Sequence, residues 1–179
     1  QEKVFAAFPL QEQFFLALRI FEEQEAFNAS TFEHIRAIKK VVPVVSSDDY
    51  LKNFPEFTEN VSHYFQDTPT SKVMADALTE IQKGIEAVSL YCGYLAHADL
   101  APSNFRIHDN KVYSLDLSSM LFGNKHESWA RFLNWALVHS QDLEPILMRY
   151  IETNRSDEIE SLRLMRIYKA GFLLDYYTK

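Results

Sequence analysis

The stretch His97-Ala98-Asp99-Leu100-Ala101-Pro102-Ser103-Asn104, with Leu115-Asp116 a short way downstream, decides how the rest of this chain is read. Between the two, Phe105-Arg106-Ile107-His108 and Val112-Tyr113-Ser114-Leu115 read as short strands. Asp109-Asn110 separates them, and Lys111 leads into the second. Asp and Asn tolerate the positive φ of a tight turn, so the spacing predicts a β-hairpin over residues 105–115. Such a hairpin folds the chain back and carries Asp116 towards Asp99 and Asn104.

A carboxylate beside a histidine, then an amide, then a second carboxylate is a set that phosphoryl transfer can use. The first acid orients an attacking hydroxyl, while the amide and the second acid hold magnesium on the phosphates. Hard oxygen donors suit Mg²⁺, which also takes phosphate oxygens and waters. On these residues the chain resembles the aminoglycoside phosphotransferase and choline kinase family. That family writes its catalytic loop H-x-D-x-x-x-x-N and follows it with an Ile-Asp or Leu-Asp pair. The resemblance implies an α+β, protein-kinase-like fold, with a mostly helical C-terminal lobe, a catalytic β-hairpin and a short or incomplete N-terminal lobe. It implies an ATP-dependent enzyme that phosphorylates a small-molecule hydroxyl, with ATP and Mg²⁺ as cofactors. Asp99 is then the catalytic acid, Asn104 and Asp116 the magnesium ligands, and His97 a brace for the loop. Two departures stand out. No glycine precedes Gly84, so there is no glycine-rich phosphate-covering loop, and Ser118 stands where the family often has a second acid.

Composition sets the outer bounds. At 179 residues, 47% hydrophobic and 14% aromatic, the chain has the material for one well-filled core. The single cysteine, Cys92, excludes an internal disulfide and suits a reducing compartment, so a cytoplasmic location is expected. No apolar run is long enough to span a bilayer. The start, QEKVFAAFPLQEQFFLALRIF, lacks the basic opening and small-residue cleavage site of a secretory signal. A net charge of −7 argues against general affinity for nucleic acid and favours a neutral or cationic small molecule as partner.

Along the chain, Phe14-Phe15-Leu16-Ala17-Leu18-Arg19-Ile20-Phe21 is apolar except at Arg19 and reads as a buried strand. Residues 22–40, with Phe27, Ile35 and Ile38 among charges, read as an amphipathic helix. Val41, Val42, Val44 and Val45 around Pro43 favour a second extended segment. Strand–helix–strand over residues 1–50 resembles part of a kinase N-terminal lobe. The resemblance sets Arg19 against the nucleotide phosphates, with Glu25 or Glu33 as its helix partner. Residues 46–70 read as loops with one short helix. A long helix capped by Thr70 or Ser71 follows, with Val73, Met74, Ala77, Leu78, Ile81, Ile85 and Val88 as its stripe. Tyr94-Leu95-Ala96 leads into His97, and residues 117–124 read as a loop. Asn124 with Glu127 looks like a capping pair for a helix through Trp129, Phe132 and Trp135, and two more helices cover 142–152 and 156–177. Residues 51–179 thus form the helical lobe that carries the catalytic loop.

Two other readings use the same residues. A pseudokinase-type binding or regulatory module would keep the fold without turnover, and the absent glycine loop motivates it. A metal-dependent hydrolase would use His97, Asp99, His108 and Asp116 as ligands, though those spacings match no familiar closed site.

Overall fold

The computed structural model describes residues 2–66, 68–109 and 111–179. In chain order the elements are α1 (Glu2–Ala6), α2 (Leu10–Thr31), α3 (Ile35–Ile38), α4 (Ser47–Phe65), α5 (Thr68–Lys83), α6 (Ile85–Leu90), β1 (Cys92–His97), β2 (Phe105–His108), β3 (Lys111–Ser114), β4 (Met120–Asn124), α7 (His126–His139), α8 (Leu143–Asn154) and α9 (Ile159–Thr178). The fold is α+β and mostly helical, with two small two-stranded sheets. β1 and β4 pair antiparallel, setting Leu95 opposite Phe122 and His97 opposite Met120. Val44 adds a single parallel bridge to Phe122. β2 and β3 form the expected hairpin, with Phe105 opposite Ser114 and His108 opposite Lys111. Asp109 takes a positive φ of 48° at its turn. The other expected turn residue, Asn110, lies outside the described residues.

Helix α7 runs through the core and is coated on several sides. Its Trp129, Phe132, Leu133 and Ala136 are buried together with Ala17, Ile20 and Phe21 of α2, Tyr50 and Phe54 of α4, and Leu162 and Met165 of α9. Phe21 stacks on Trp129 with ring centroids 4.5 Å apart. Helix α9 closes onto α4 at Gly171, where even a Cβ would come within 2.6 Å of the Phe54 ring.

Several expectations are corrected. Residues 14–21 are not a strand but the middle of α2. The buried positions of α2 are Gln13, Ala17, Ile20, Phe21, Gln24, Asn28 and Thr31, a helical stripe with an apolar middle and polar residues on either side of it. Gln13 and Gln24 satisfy their amides on Phe8 O and Leu95 O, at 2.7 and 3.0 Å, so the burial is tolerated. The strand–helix–strand region over 1–50 is therefore replaced by helices and one isolated bridge, and its boundary at residue 50 falls inside α4. Residues 47–65 form a 19-residue helix rather than loops. Ser46 and Asp49 make a reciprocal capping box, and Tyr50, Phe54, Phe57 and Val61 bury one face. Burying each such side chain stabilises by about 1.5–3 kcal/mol, which together outweighs the roughly 3 kcal/mol penalty of Pro55 within the helix. The next helix starts at Thr68, ahead of Thr70, because Pro69 is acceptable in a first turn, and it breaks at Gly84 before α6. Residues 120–124 are a strand, not part of a loop, since β1 supplies the partner. Asn124 Oδ1 does accept from the His126 N–H at 2.8 Å, but Glu127 turns into the core instead of closing the box.

Candidate active site

The 97–104 loop and the end of the hairpin meet through one backbone position. Leu115 donates its N–H to Asn104 O at 2.8 Å, and its carbonyl accepts from His97 Nε2 at 2.8 Å. Both backbone groups of Leu115 are thus pinned, one residue before Asp116. The His97 ring is buried, and its Nδ1 accepts the Asp99 N–H at 3.2 Å, which fixes the proton on Nε2. The His97 N–H donates to Ser128 Oγ of α7 at 2.8 Å. Each polar group of His97 named here binds the loop to its surroundings, leaving no ring lone pair for a metal.

Asn104 Nδ2 donates to Asp99 O and to Asp99 Oδ2, both at 2.8 Å. Two acceptors on that side require the NH₂ end there, so the amide oxygen points away from Asp99. Asp116 has a φ of 55°, a left-handed conformation uncommon for a residue with a Cβ and one that clusters at functional sites. Its carboxylate accepts from Ser118 Oγ and, at 3.0 Å, from Ser119 Oγ. Those two hydroxyls, Ser118 first, hold the Asp116 carboxyl below the usual carboxylate range. Ser118, where an acid was the family expectation, thus orients Asp116. Ser119 O in turn accepts the Ala98 N–H at 2.8 Å, strapping this turn to the loop.

Asp99 is held from the other side by Arg131 of α7, whose Nε lies 2.7 Å from Asp99 Oδ1. The Asp99 side chain stays 44% exposed while Arg131 is only 13% exposed, so the acid faces outwards on a fixed support. Arg131 escaped the sequence reading; its signal was a lone cation inside the apolar run Trp129-Ala130-Arg131-Phe132, which needs a partner.

Cavities lie on both sides of this arrangement. One of about 340 Å³ is bordered by Asp99, Ser119, Arg131 and Lys169 and by the last turns of α9. Another of about 300 Å³ lies between α2 and the hairpin, bordered by Ile20, Phe27, Leu100, Val112, Ser114 and Leu117. Lys169, also missed in the sequence, ion-pairs with Glu127 at 2.6 Å with both side chains buried. The Tyr50 hydroxyl donates to the same carboxylate at 2.7 Å, and burial followed by the Glu127 charge pushes the phenol far up.

Arg19 is not brought to this group. It sits on α2 beside Glu12, Phe15 and Glu22, in a surface recess that shares no residue with either cavity. Glu25, one of its two expected partners, instead pairs with Lys125 at 3.7 Å and Arg155 at 3.6 Å. The reason for assigning Arg19 to phosphates disappears with the strand. His108 is exposed and pairs with its neighbour Asp109, at 3.4 Å. Among the described residues no group of three or more His, Cys, Asp or Glu could hold a metal by itself, so the hydrolase reading has no site. The outward amide oxygen of Asn104 and the carboxylate of Asp116 are hard oxygen donors, the kind that Mg²⁺ takes together with phosphate oxygens and waters. Among the described residues no helix is long and apolar enough to cross a membrane.

Comparison with known proteins gives no match to any family model, curated protein or solved structure.

Proposed function

We propose that the chain is an ATP- and Mg²⁺-dependent phosphotransferase acting on a small-molecule hydroxyl. The observation that carries this reading is the double pinning of Leu115, to Asn104 and His97, one residue before Asp116, while Asn104 in turn holds Asp99. Magnesium, when bound, would neutralise charge on the transferring phosphoryl group. Asn104 and Asp116 offer it two oxygens, one aimed by the amide's bonds to Asp99 and the other by Ser118 and Ser119. Asp99 accepts from Arg131 and Asn104 on separate oxygens, and each oxygen keeps a lone pair for an acceptor hydroxyl. That makes its work chiefly orientation, which suits a loose transition state that asks little covalent help of the protein. His97 keeps the loop and the Asp116 turn in register.

Asp99→Asn is nearly isosteric and tests this directly. It is expected to keep the fold and nucleotide affinity while lowering phosphoryl transfer by roughly 10²-fold or more. Full activity in that variant would refute the role. The second reading, a nucleotide-binding module without turnover, is favoured by one observation: a helix, α2, stands where strands covering the phosphates were expected. Nucleotide binding with no transfer to any acceptor would select it.

A further inference from the structure

The cavity of about 340 Å³ beside Asp99 has two unlike walls. The catalytic loop, the 117–119 turn and α7 give Asp99, Ser119 and Arg131, all polar. The last turns of α9 give Phe172, Leu173, Tyr176 and Tyr177, and Lys169 completes the lining with a side chain 2% exposed. Its charges are already matched. Asp99 pairs with Arg131 at 2.7 Å and Lys169 with Glu127 at 2.6 Å. No carboxylate of the lining remains to neutralise an ammonium group drawn out of water, and burying one without a counter-ion is unfavourable. Aromatic faces could substitute for a carboxylate. Here, however, the Lys169 ammonium already lies 4.7 Å from the Phe172 ring centroid. Tyr176 and Tyr177 pack edge-to-face on each other with ring centroids 5.3 Å apart, at exposed positions where a cation–π contact contributes only about 0.5–1 kcal/mol and does not replace a carboxylate. An anionic acceptor fares no better, since both cations of the lining, Arg131 and Lys169, are already partnered.

Resting on the phosphotransferase reading above, we propose that this cavity is the acceptor site and that it takes a neutral cyclic polyol, a single sugar or cyclitol ring. Such a ring is amphipathic in the sense the cavity requires. Its hydroxyls meet Asp99, Ser119 and Arg131, and its C–H face lies on Leu173 and Tyr176. The acidity of the whole chain does not contradict this, because charges farther off than about 8 Å are screened at physiological salt and the local set decides.

Glucose, glucosamine and glucuronate share one ring and differ in charge, so they isolate the claim. Saturation-transfer NMR without nucleotide reads binding, and a Mg·ATP assay reads transfer. Glucose is expected to bind at least about tenfold more tightly than either charged ring, since the charge finds no free partner. Tyr176→Ala, at an exposed position that leaves the core untouched, should weaken glucose binding several-fold. Leu173→Asp gives the lining an unpaired carboxylate and should move the preference towards glucosamine by about tenfold. Equal or better binding of a charged ring, binding of none of the three, or an unaltered Tyr176→Ala variant overturns the proposal. Glucose bound at this site but never phosphorylated, with Mg·ATP present, would leave the polyol site standing and remove the phosphotransferase reading. Preferential transfer to choline would do the reverse.

Discussion

Leu115 shows how a site can depend on a residue whose side chain does nothing in it. Its N–H and carbonyl connect Asn104 and His97, so the geometry of the candidate site is set by backbone bonds that most substitutions at 115 would preserve. The side chains then divide the work. Asp116 is aimed by two serine hydroxyls, and Asp99 by a guanidinium and an amide. If Asp116 touches the metal and Asp99 the acceptor, Asp116→Ala should abolish Mg²⁺-dependent ATP binding while Asp99→Ala leaves most of it. Calorimetric titration of both variants checks this, and equal losses would count against the division. On the proposed reading, Arg131 acts through Asp99 as a positioning residue. Arg131→Met should leave ATP affinity near wild type and reduce kcat by up to about 10²-fold, the scale of an angstrom-level misplacement. Arg131→Lys should restore only part of that, because a point charge cannot reproduce the Nε geometry. A rise in the KM for ATP with kcat unchanged would instead mean that Arg131 serves the nucleotide.

At the scale of elements, packing decides what propensity leaves open. Gly171 lies inside α9, where alanine would ordinarily gain about 1 kcal/mol of helix propensity. The Phe54 ring 2.6 Å from the missing Cβ is fully buried and has no room to retreat, and overpacking costs about 1–3 kcal/mol. Gly171→Ala is therefore expected to lower stability by up to about 2 kcal/mol in urea denaturation. A stabilised variant would show that α9 and α4 can move apart. The junction of β4 and α7 is tied to the start of α9 by Glu158, which binds Lys125 and His126, each at 2.8 Å. Burial alone would raise the Glu158 carboxyl, but the hydrogen bonds from His126 and Lys125 prevail and bring it down to about 2. Burial holds the His126 imidazole below its ordinary 6.5, against the pull of Glu158. Both groups are thus less protonated in the folded chain than in the unfolded one as pH falls. Stability should decline on acidification, first below about 6.5 through His126 and then from 4.5 towards 2 through Glu158. Glu158→Gln should flatten the lower part of that decline, read as denaturation midpoint against pH. The same scale explains what the sequence discloses. The hairpin and the helices after residue 124 carry their signals locally, in a turn pair and in aromatic stripes. In α2 the buried face holds Gln13, Gln24 and Asn28 while Phe15 is 56% exposed, so hydrophobicity marks the wrong face. In β4 the partner strand is distant in sequence. The site divides likewise: Asp99, Asn104 and Asp116 lie on one loop and its hairpin, whereas Arg131 and Lys169 are recognisable only once α7 and α9 are folded against the loop.

Over the whole molecule, the N-terminal third is structural support for the site, which a separate small lobe would not be. Phe21 stacks on Trp129, one turn of α7 from Phe132 and two residues from Arg131. Tyr50 donates to Glu127, the partner of Lys169, and accepts the Asn124 N–H at 3.1 Å at the end of β4. Residues before 51 thus hold both the helix that supports Asp99 and the buried pair whose Lys169 lines its cavity. Two consequences distinguish one cooperative body from two lobes. Thermal or urea unfolding of the chain should be a single transition in which tryptophan fluorescence and far-ultraviolet circular dichroism coincide. Phe21→Ala should shift the whole transition by about 3–5 kcal/mol, because it opens a cavity against Trp129 and Phe132. The sharper experiment removes residues 1–50. The remaining 51–179 segment would expose the α2-facing side of α7 and leave Glu127 without the Tyr50 hydroxyl. It is expected to keep helical dichroism but to lose fixed aromatic signals in the near ultraviolet and to bind a hydrophobic dye. A 51–179 segment with native near-ultraviolet dichroism and a cooperative transition of its own would show instead that α2 docks on a finished domain. The cavity between α2 and the hairpin would then be a seam able to open.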